Sequence, residues 1–244
     1  MKRLIIDIGN TRCKWAIFAN NAMLSVHSST DLTVALLQQI FAETPDIAAV
    51  IVSSVRKFPN DCRSFLRGST SYFIELTHQT PVPITTRYKT PETLGLDRLA
   101  AAIGAASLYP ATPLLVVDAG TAITIDLVSD RNEYLGGNIS PGIETRFKAL
   151  NHFTEKLPLV ELTNEFDLVG TDTQSAIRAG VQQGVLFEID SYIALFRKEQ
   201  PNLTSIVAGG HAPFLAKQLH ETVVLHEHLT LYGLNRILEY NASK

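Results

Sequence analysis

Residues 4–9 read LIIDIG, and residues 115–120 read LVVDAG. In each stretch an apolar run ends in an aspartate, one further residue and a glycine, and a threonine follows soon afterwards. The two aspartates, Asp7 and Asp118, are 111 residues apart in a chain of 244 residues, which is close to half its length. A match of this kind indicates two copies of one βαβ-type unit.

The repeat predicts an α/β protein built from two similar domains, residues 1–112 and 113–244. The chain is long enough for this arrangement. Its residues are 45% hydrophobic and 18% charged, which is typical of a globular enzyme with a sizeable core.

Composition also excludes several classes of protein. The net charge is −3, the pI is about 6.2, and no Lys/Arg cluster stands out, so we expect no nucleic-acid partner. The apolar run at the N-terminus is interrupted by Asp7, and no stretch approaches 18 apolar residues, so we expect neither a secretory signal nor a membrane span. The only cysteines, Cys13 and Cys62, suit a reduced, cytoplasmic protein.

The hydrophobic periodicity predicts alternating strands and helices after an N-terminal β-hairpin. One long helix is expected from Thr171 to Arg197, and Gly136-Gly137 and Pro141-Gly142 are expected to break the strand pattern before it. Further helices are predicted over Asp31–Glu43, Asn60–Arg67, Leu96–Leu108, Ala212–His220 and Thr230–Tyr240.

The Asp-x-Gly turn suits phosphate binding. A buried strand positions its terminal carboxylate, and glycine lets the backbone bend sharply and approach a ligand. The N–H groups of the turn can then hold phosphate oxygens, with Asn10 and Thr11 as further donors and Lys14 as a cation. Neither G-x-x-x-x-G-K-[ST] nor G-x-G-x-x-G occurs, which argues against a P-loop or a dinucleotide-binding fold.

Asp7 and Asp118 can be interpreted in two ways. Mg²⁺ prefers one or two carboxylates together with water and substrate phosphates, so Asp7 and Asp118 suit Mg–ATP. Alternatively, each aspartate caps its turn and has no ligand.

A second candidate site begins an Ala-rich helix at Gly95-Leu96-Asp97-Arg98. Phosphoryl transfer to an alcohol needs a group that accepts the hydroxyl proton, and Asp97 can do this. Arg98 could hold an anionic part of the substrate by a forked contact. The alternative is that Asp97 is an ordinary acidic residue favoured by the helix dipole.

Taken together, these motifs resemble those of the type III pantothenate kinases, bacterial members of the actin, hexokinase and heat-shock chaperone superfamily. The similarity runs over nearly the whole chain. It rests on DIGNTRCK at Asp7–Lys14, Tyr88 ahead of GLDR, VDAGTA at Val117–Ala122, LGGNISPG at Leu135–Gly142 and GTDTQSAI at Gly170–Ile177. One departure is Leu96, where the family commonly has alanine.

The resemblance implies two ribonuclease-H-like domains with an ATP cleft between them. It implies that Asp97 is the proton acceptor, that Asp118 lies near a monovalent cation, K⁺ or NH₄⁺, and that Mg²⁺ accompanies ATP. The implied ATP-binding residues are Asp7, Ile8, Gly9, Asn10, Thr11, Arg12, Cys13, Lys14 and Thr121. The implied pantothenate-binding residues are Tyr88, Gly95, Leu96, Asp97 and Arg98, together with Thr173 from the neighbouring subunit.

A homodimer is therefore expected. Small residues of the helix after Gly170, namely Ala176, Ala179, Gly180 and Gly184, are spaced by three or four positions and could form a close packing face. The same face could instead be covered by its own chain.

The predicted reaction is transfer of the γ-phosphoryl group of ATP to pantothenate, the entry step to coenzyme A. Two alternatives remain from the residues alone. One is a kinase of this fold with another acceptor, such as a sugar or a carboxylic acid. The other is a non-catalytic regulator that binds a nucleotide, although such a protein has no need for Asp97.

Overall fold

The structure is a computed structural model that describes residues 2–242. The chain folds into two compact units. The first contains the described residues of Met1–Pro110, Asn132–Tyr134 and His228–Lys244, and the second contains Ala111–Arg131 and Leu135–Glu227. No helix within residues 2–242 is long and apolar enough to cross a membrane.

The first unit is organised around a five-stranded sheet in the order β3-β2-β1-β4-β5. Strand β1 is antiparallel to β2, which is antiparallel to β3, whereas β1, β4 and β5 run parallel. The middle of the central strand β1, Leu4–Ile6, is apolar and fully buried because both of its faces are covered. The strands are β1 (Lys2–Ile8), β2 (Cys13–Ala19), β3 (Ala22–Ser29), β4 (Ile47–Ser54) and β5 (Tyr72–Glu75).

Helices α1 (Val34–Glu43) and α2 (Asn60–Ser69) supply the crossovers between parallel strands. Thr33 caps α1, since its side chain accepts a hydrogen bond from the Leu36 N–H at 3.2 Å. Leu37 of α1 and Leu66 of α2 are fully buried against one face of the sheet. The short strand β6 (Thr85–Thr86) and helix α3 (Leu96–Leu108) follow.

The second unit contains a sheet in the order β9-β8-β7-β10-β11. Strand β7 is antiparallel to β8 and parallel to β10, which is parallel to β11. The strands are β7 (Leu114–Ala119), β8 (Ala122–Val128), β9 (Glu133–Pro141), β10 (Thr204–Ala208) and β11 (Val224–Leu225). The first two residues of β9 pair with β6 within the first unit.

The helices of the second unit cover one face of its sheet. They are α4 (Ile143–Phe153), α5 (Thr173–Arg178), α6 (Gly184–Glu199) and α7 (Ala212–Gln218), with a π-helical turn at Ala179–Gln183 between α5 and α6. Their apolar side chains, such as Phe147 and Ile189, pack with Val117 and Ile125 of the sheet.

The last helix, α8 (Leu229–Ala242), packs against α3 in the first unit. Two glycines allow this approach. A Cβ on Gly233 would lie 1.8 Å from the Ala100 carbonyl oxygen, and one on Gly104 would lie 2.3 Å from the Leu229 carbonyl oxygen. Backbones this close leave no room for a side chain.

The two units repeat one topology. Each places its first strand in the middle, its second and third strands on one side by antiparallel pairing, and its fourth and fifth on the other by parallel pairing. The predicted α/β class and duplication are confirmed by this agreement. The sequence predicted that one boundary at residue 112 divides the domains. In the structure, residues 228–244 belong to the first unit.

One sequence prediction was wrong. Gly136 and Gly137 do not end strand β9, because Gly136 takes a φ of +132°, which only glycine adopts readily, and the strand continues to Pro141. The long helix predicted over Thr171–Arg197 is present: helical structure runs without a break from Thr173 to Glu199 and includes the π-helical turn. Strand β3 and helix α4 were not predicted.

Candidate active site

The first Asp-x-Gly turn joins β1 to β2. Asp7 lies opposite Lys14 in the strand register, and Ile8 lies opposite Cys13, so residues 9–12 form the loop. The Gly9 N–H donates to the Arg12 carbonyl oxygen at 3.0 Å. Asn10, Thr11 and Arg12 are exposed at the tip. The side chains of Asn10 and Thr11 are therefore accessible, whereas the Gly9 N–H already donates within the turn.

Successive side chains of a strand point to opposite faces of the sheet, so only some side chains of β1 and β2 can contact a ligand. Ile8 is 2% exposed and Cys13 is fully buried, and both belong to the core beneath α1 and α2. Asp7 and Lys14 lie on the opposite face because successive residues of a strand point to opposite sides. Ile8 and Cys13 can therefore contact a nucleotide only through their backbone.

Ser53 on β4 is the register partner of Asp7 on the side away from Lys14. Its side chain is fully buried, and its Oγ has no hydrogen-bond partner among residues 2–242. A buried hydroxyl of this kind is costly unless something binds it. Sequence reasoning missed Ser53; the available signal was a polar residue at the carboxyl end of a buried parallel strand.

The second Asp-x-Gly turn joins β7 to β8 and repeats the first with a shorter loop. Asp118 lies opposite Thr124, and Ala119 lies opposite Ile123, and only Gly120 and Thr121 lie between the two strands. The Gly120 N–H donates to the Ala122 carbonyl oxygen at 2.9 Å. The position that Lys14 occupies in the first unit thus holds an uncharged hydroxyl in the second.

The carboxylate of Asp118 is closely enclosed. Gly209 has a φ of +88°, and a Cβ there would lie 2.4 Å from the Asp118 Oδ1. The hydroxyl of Thr124, on the same face of the sheet, is buried and without a hydrogen-bond partner in the described part of the chain. Asp118 is therefore the register partner of a residue with a buried hydroxyl and lies close to the backbone of Gly209.

Five of the six predicted pantothenate residues, all but Thr173, lie together at the start of α3. Gly95 is the residue before the helix, and a Cβ there would lie 2.6 Å from the Asp97 Oδ1. That oxygen accepts a hydrogen bond from the Arg98 N–H at 2.9 Å. The Arg98 guanidinium is largely buried and lies 6.0 Å from the ring centroid of Tyr88. Leu96, the first residue of the helix, is half-buried.

Thr173 lies in the second unit and begins α5. Asp172 caps this helix by accepting from the Gln174 and Ser175 N–H groups at 2.9 and 3.1 Å. Hydrogen bonds from Ser175 hold the pKa of the Asp172 carboxyl below its usual range. Gly170 packs against the backbone of Ala176, where a Cβ would lie 2.1 Å from its nitrogen. Thr173 itself is exposed at a well-fixed helix start.

Thr173 lines an apolar groove of about 860 Å³. Other residues of its lining are Phe153, Ala176, Ile177 and Gly180. Phe153 is 81% exposed. The predicted small-residue face is only partly present, because the π-helical turn shifts the helical period and buries Ala179 while Gly180 stays exposed. A Cβ on Gly180 would meet nothing within 4 Å among the described residues.

The described residues fit a divalent ion that arrives with phosphates. No group of three or more His, Cys, Asp or Glu side chains within residues 2–242 could hold a metal ion by itself. Mg²⁺ commonly relies on one or two carboxylates, water and substrate phosphates. In the first unit the unpartnered hydroxyl of Ser53 belongs to the register partner of Asp7, and in the second unit that of Thr124 belongs to the register partner of Asp118.

Comparison with known proteins agrees with this geometry. Residues 3–195 match the family model described as type III pantothenate kinase. A type III pantothenate kinase of Phocaeicola vulgatus is 43% identical over 238 residues, which cover 98% of each chain.

Two solved structures show the fold alone. One, described as a Baf family transcriptional activator from Campylobacter jejuni, has a TM-score of 0.63 and 23% identity over 99% of this chain and all of that one. The other is the activator of the 2-hydroxyisocaproyl-CoA dehydratase from Clostridium difficile with bound ADPNP. It has a TM-score of 0.54 and 14% identity, over all of this chain and 97% of that one.

The duplicated α/β units, each with an Asp-x-Gly turn at the end of its central strand, occur here in a chain whose matching family and curated relatives are ATP-dependent phosphotransferases. The chain belongs to the type III pantothenate kinase family. The reaction of this family, transfer of the γ-phosphoryl group of ATP to pantothenate, begins coenzyme A biosynthesis and uses ATP with a divalent metal ion. The predicted kinase activity is confirmed by this membership.

Proposed function

We propose that Asp97 accepts the proton of the pantothenate hydroxyl during phosphoryl transfer. The observation that carries this proposal is the position of its carboxylate, which the backbone N–H of Arg98 orients and which the absence of a side chain on Gly95 accommodates. A general base must lie within hydrogen-bond reach of the proton that it takes. Arg98 and Tyr88, which lie beside it, would bind the substrate's carboxylate and its apolar part.

The chemical step balances without another reactant. The hydroxyl oxygen of pantothenate forms a bond to the γ-phosphorus as the bond from that phosphorus to the β,γ-bridging oxygen breaks. The hydroxyl proton moves to Asp97, and ADP leaves with the electron pair of the broken bond. Charge spreads over the γ-phosphoryl oxygens in the transition state, so donors aimed at them supply much of the acceleration.

ATP would be bound by the residues of the first turn, Asp7 to Lys14, and by Thr121 of the second. The exposure of Asn10, Thr11 and Arg12 at the first turn and the cation of Lys14 beside it support this assignment. When bound, Mg²⁺ would bridge the phosphate oxygens and neutralise their charge. Asp7 is the carboxylate best placed to receive its water shell, because it shares a face of the sheet with Lys14 and Ser53.

A monovalent cation, K⁺ or NH₄⁺, would lie at Asp118. The hydroxyl of Thr124 and the close backbone at Gly209 support this site, since such ions take oxygen ligands without strict geometry. We place the enzyme in the cytoplasm, in agreement with its two reduced, buried cysteines.

We further propose a homodimer in which Thr173 completes the pantothenate site of its partner. The apolar groove that Thr173 lines supports this arrangement, because it contains Phe153, a large apolar side chain that is 81% exposed and that a partner subunit could cover.

The test is ADP release from MgATP by the purified protein, measured with pantothenate and with a panel of sugars and carboxylic acids that carry a hydroxyl group. We expect ADP formation to depend on pantothenate and to yield one phosphorylated product per ADP. Turnover only with another acceptor would reject the substrate assignment, and ATP binding without any turnover would favour a regulator.

A further inference from the structure

The carbonyl oxygen of Thr121 accepts two hydrogen bonds from the start of α4. The Gly142 N–H donates to it at 3.0 Å, and the Thr145 hydroxyl donates to it at 2.7 Å. Thr121 itself is exposed in the loop between β7 and β8. A helix that follows this hairpin in the chain therefore returns to fix one peptide group of its loop.

The contact at Gly142 is possible only without a side chain. A Cβ on Gly142 would lie 2.1 Å from the Gly120 carbonyl oxygen and 2.8 Å from that of Thr121. Backbone atoms cannot yield to such a clash as a flexible side chain could. The close approach of the α4 start to the loop is thus built into the fold.

Arg146 fixes the segment from the other side. Its Nε donates to the Pro141 carbonyl oxygen at 2.7 Å, and its guanidinium also bonds the Ser140 hydroxyl at 3.2 Å and pairs with Glu188 of α6. The end of β9 and the first turn of α4 are therefore held to α6. The donors that reach Thr121 come from a rigid support.

Fixing this carbonyl also fixes the N–H of the same peptide group. The peptide is planar and trans, so the Thr121 carbonyl and the Ala122 N–H point in opposite directions. With the carbonyl turned toward α4, the Ala122 N–H is turned away from α4. A rotation of this peptide group would redirect the Ala122 N–H together with the Thr121 carbonyl.

We propose that Thr145 is a positioning residue for ATP, acting through the Thr121 carbonyl to hold the second turn in its phosphate-binding geometry. This inference rests on the proposed role of Thr121. Thr145 need not touch the nucleotide. The Thr145 hydroxyl and the Gly142 N–H both donate to the Thr121 carbonyl oxygen, which can accept two hydrogen bonds. Two donors hold this peptide group more firmly than either donor alone.

The experiment compares Thr145→Val, which removes the hydroxyl but keeps the shape, with Thr145→Ser, which keeps it. Loss of one neutral hydrogen bond predicts that Thr145→Val raises the KM for ATP and the Kd for MgATP by about 3- to 10-fold. The kcat and the KM for pantothenate should stay within about twofold of wild type. Thr145→Ser should restore both ATP constants.

The matched control is Thr70→Val in the first unit, where the hydroxyl donates to the Leu66 carbonyl oxygen at 2.8 Å. It removes the same kind of bond from a helix end that is not connected to the turn, so its ATP constants should equal those of wild type. Kd is measured by titration calorimetry with MgATP and no pantothenate, and Tm is recorded for each variant. If Thr145→Val melts below the assay temperature, Thr145→Ala replaces it.

The outcomes separate the two proposals. A wild-type protein that neither binds MgATP nor releases ADP would reject the proposed function itself. Suppose instead that the wild-type protein binds MgATP and turns over. If Thr145→Val then leaves the KM for ATP and the Kd for MgATP unchanged, or if Thr70→Val changes them equally, only the role of Thr145 is rejected. An equal rise in both KM values, or no recovery with serine, would also overturn it, since that pattern indicates a general disturbance.

Discussion

Gly95 and Asp97 are matched to each other at the start of α3: a Cβ on the glycine would lie 2.6 Å from the carboxylate Oδ1. The same oxygen accepts from the Arg98 N–H at 2.9 Å, so the carboxylate is held between a backbone donor and a space that only glycine leaves open. The position of the proposed base therefore depends on a residue that has no chemistry of its own.

The first prediction concerns the base. Asp97→Asn keeps the size of the side chain and can still accept the Arg98 N–H, but the amide cannot take a proton from the substrate. We expect kcat to fall by about 10²- to 10⁴-fold while the Kd for MgATP is unchanged. Steady-state kinetics and calorimetry check this, and near-normal turnover would remove Asp97 from the role.

The second prediction concerns Gly95. In Gly95→Ala the new methyl group displaces the Asp97 carboxylate, and a displacement of this size should lower kcat by about 10- to 100-fold with little change in the KM for ATP. Gly68→Ala in α2 is the matched control, because a Cβ there meets nothing within 4 Å among the described residues. Equal kcat values in the two variants would show that Gly95 does not set the position of the base.

The sequence predicts those features of the fold whose residues are close together along the chain. The repeat around Asp7 and Asp118 correctly predicted two similar units, because a buried strand that ends in Asp-x-Gly is visible in a few consecutive residues. The predicted division at residue 112 could not include the packing of α8 on α3, because that contact depends on Gly104 and Gly233, which are far apart in the sequence.

The candidate site shows the same limit. The cluster of Gly95, Asp97 and Arg98 lies within four residues, and the motif predicted it. Ser53 lies beside Asp7 only through the pairing of β4 with β1, and Thr145 reaches Thr121 only through the fold of α4. No short-range pattern contains either relationship.

The third prediction concerns monovalent ions. If a cation lies at Asp118, activity should be higher in K⁺ or NH₄⁺ than in Na⁺, and K⁺ should raise Tm because it binds only the folded protein. Asp118→Asn should lose both effects. Rates measured in the three chloride salts at equal ionic strength test this, and equal rates in all three with wild type would contradict the site.

The fourth prediction uses the two buried thiols. Burial, with a smaller contribution from the Asp7 charge, raises the pKa of Cys13 from 9.0 to about 12, and burial raises that of Cys62 to about 11. The neutral thiol is favoured in the folded protein, so this contribution to stability is complete below pH 9 and is lost as pH rises from 9 toward the folded values.

The raised pKa values also predict that both thiols are alkylated slowly. At pH 8 the folded protein should react with iodoacetamide at Cys13 roughly a thousandfold more slowly than an exposed cysteine, because the thiolate is the reactive form. Mass spectrometry should show two modifications only after denaturation. ATP should give no further protection, because the Cys13 side chain faces the core; rapid labelling that ATP blocks would place this thiol in the nucleotide site instead.

The fifth prediction concerns the shared site. In a symmetric dimer, Asp97→Asn damages the site to which that subunit contributes the base, whereas Thr173→Ala damages the site of its partner. Homodimers of either variant have two damaged sites. A mixed dimer carries both lesions in one site and leaves the other intact, so mixing the two variants under subunit exchange should restore up to about half of the wild-type activity per mixed dimer.

The matched control is Asp97→Asn mixed with Asp97→Asn, Thr173→Ala double-variant subunits. Every site in that mixture lacks its base, so no activity should return. Phe153→Asp, placed at the 81%-exposed residue of the groove, should separate the subunits and lower activity with them, as light scattering and the kinase assay would record. Full activity from a monomer would defeat the shared site, and a dimer without complementation would keep the interface but reject the contribution of Thr173 across it.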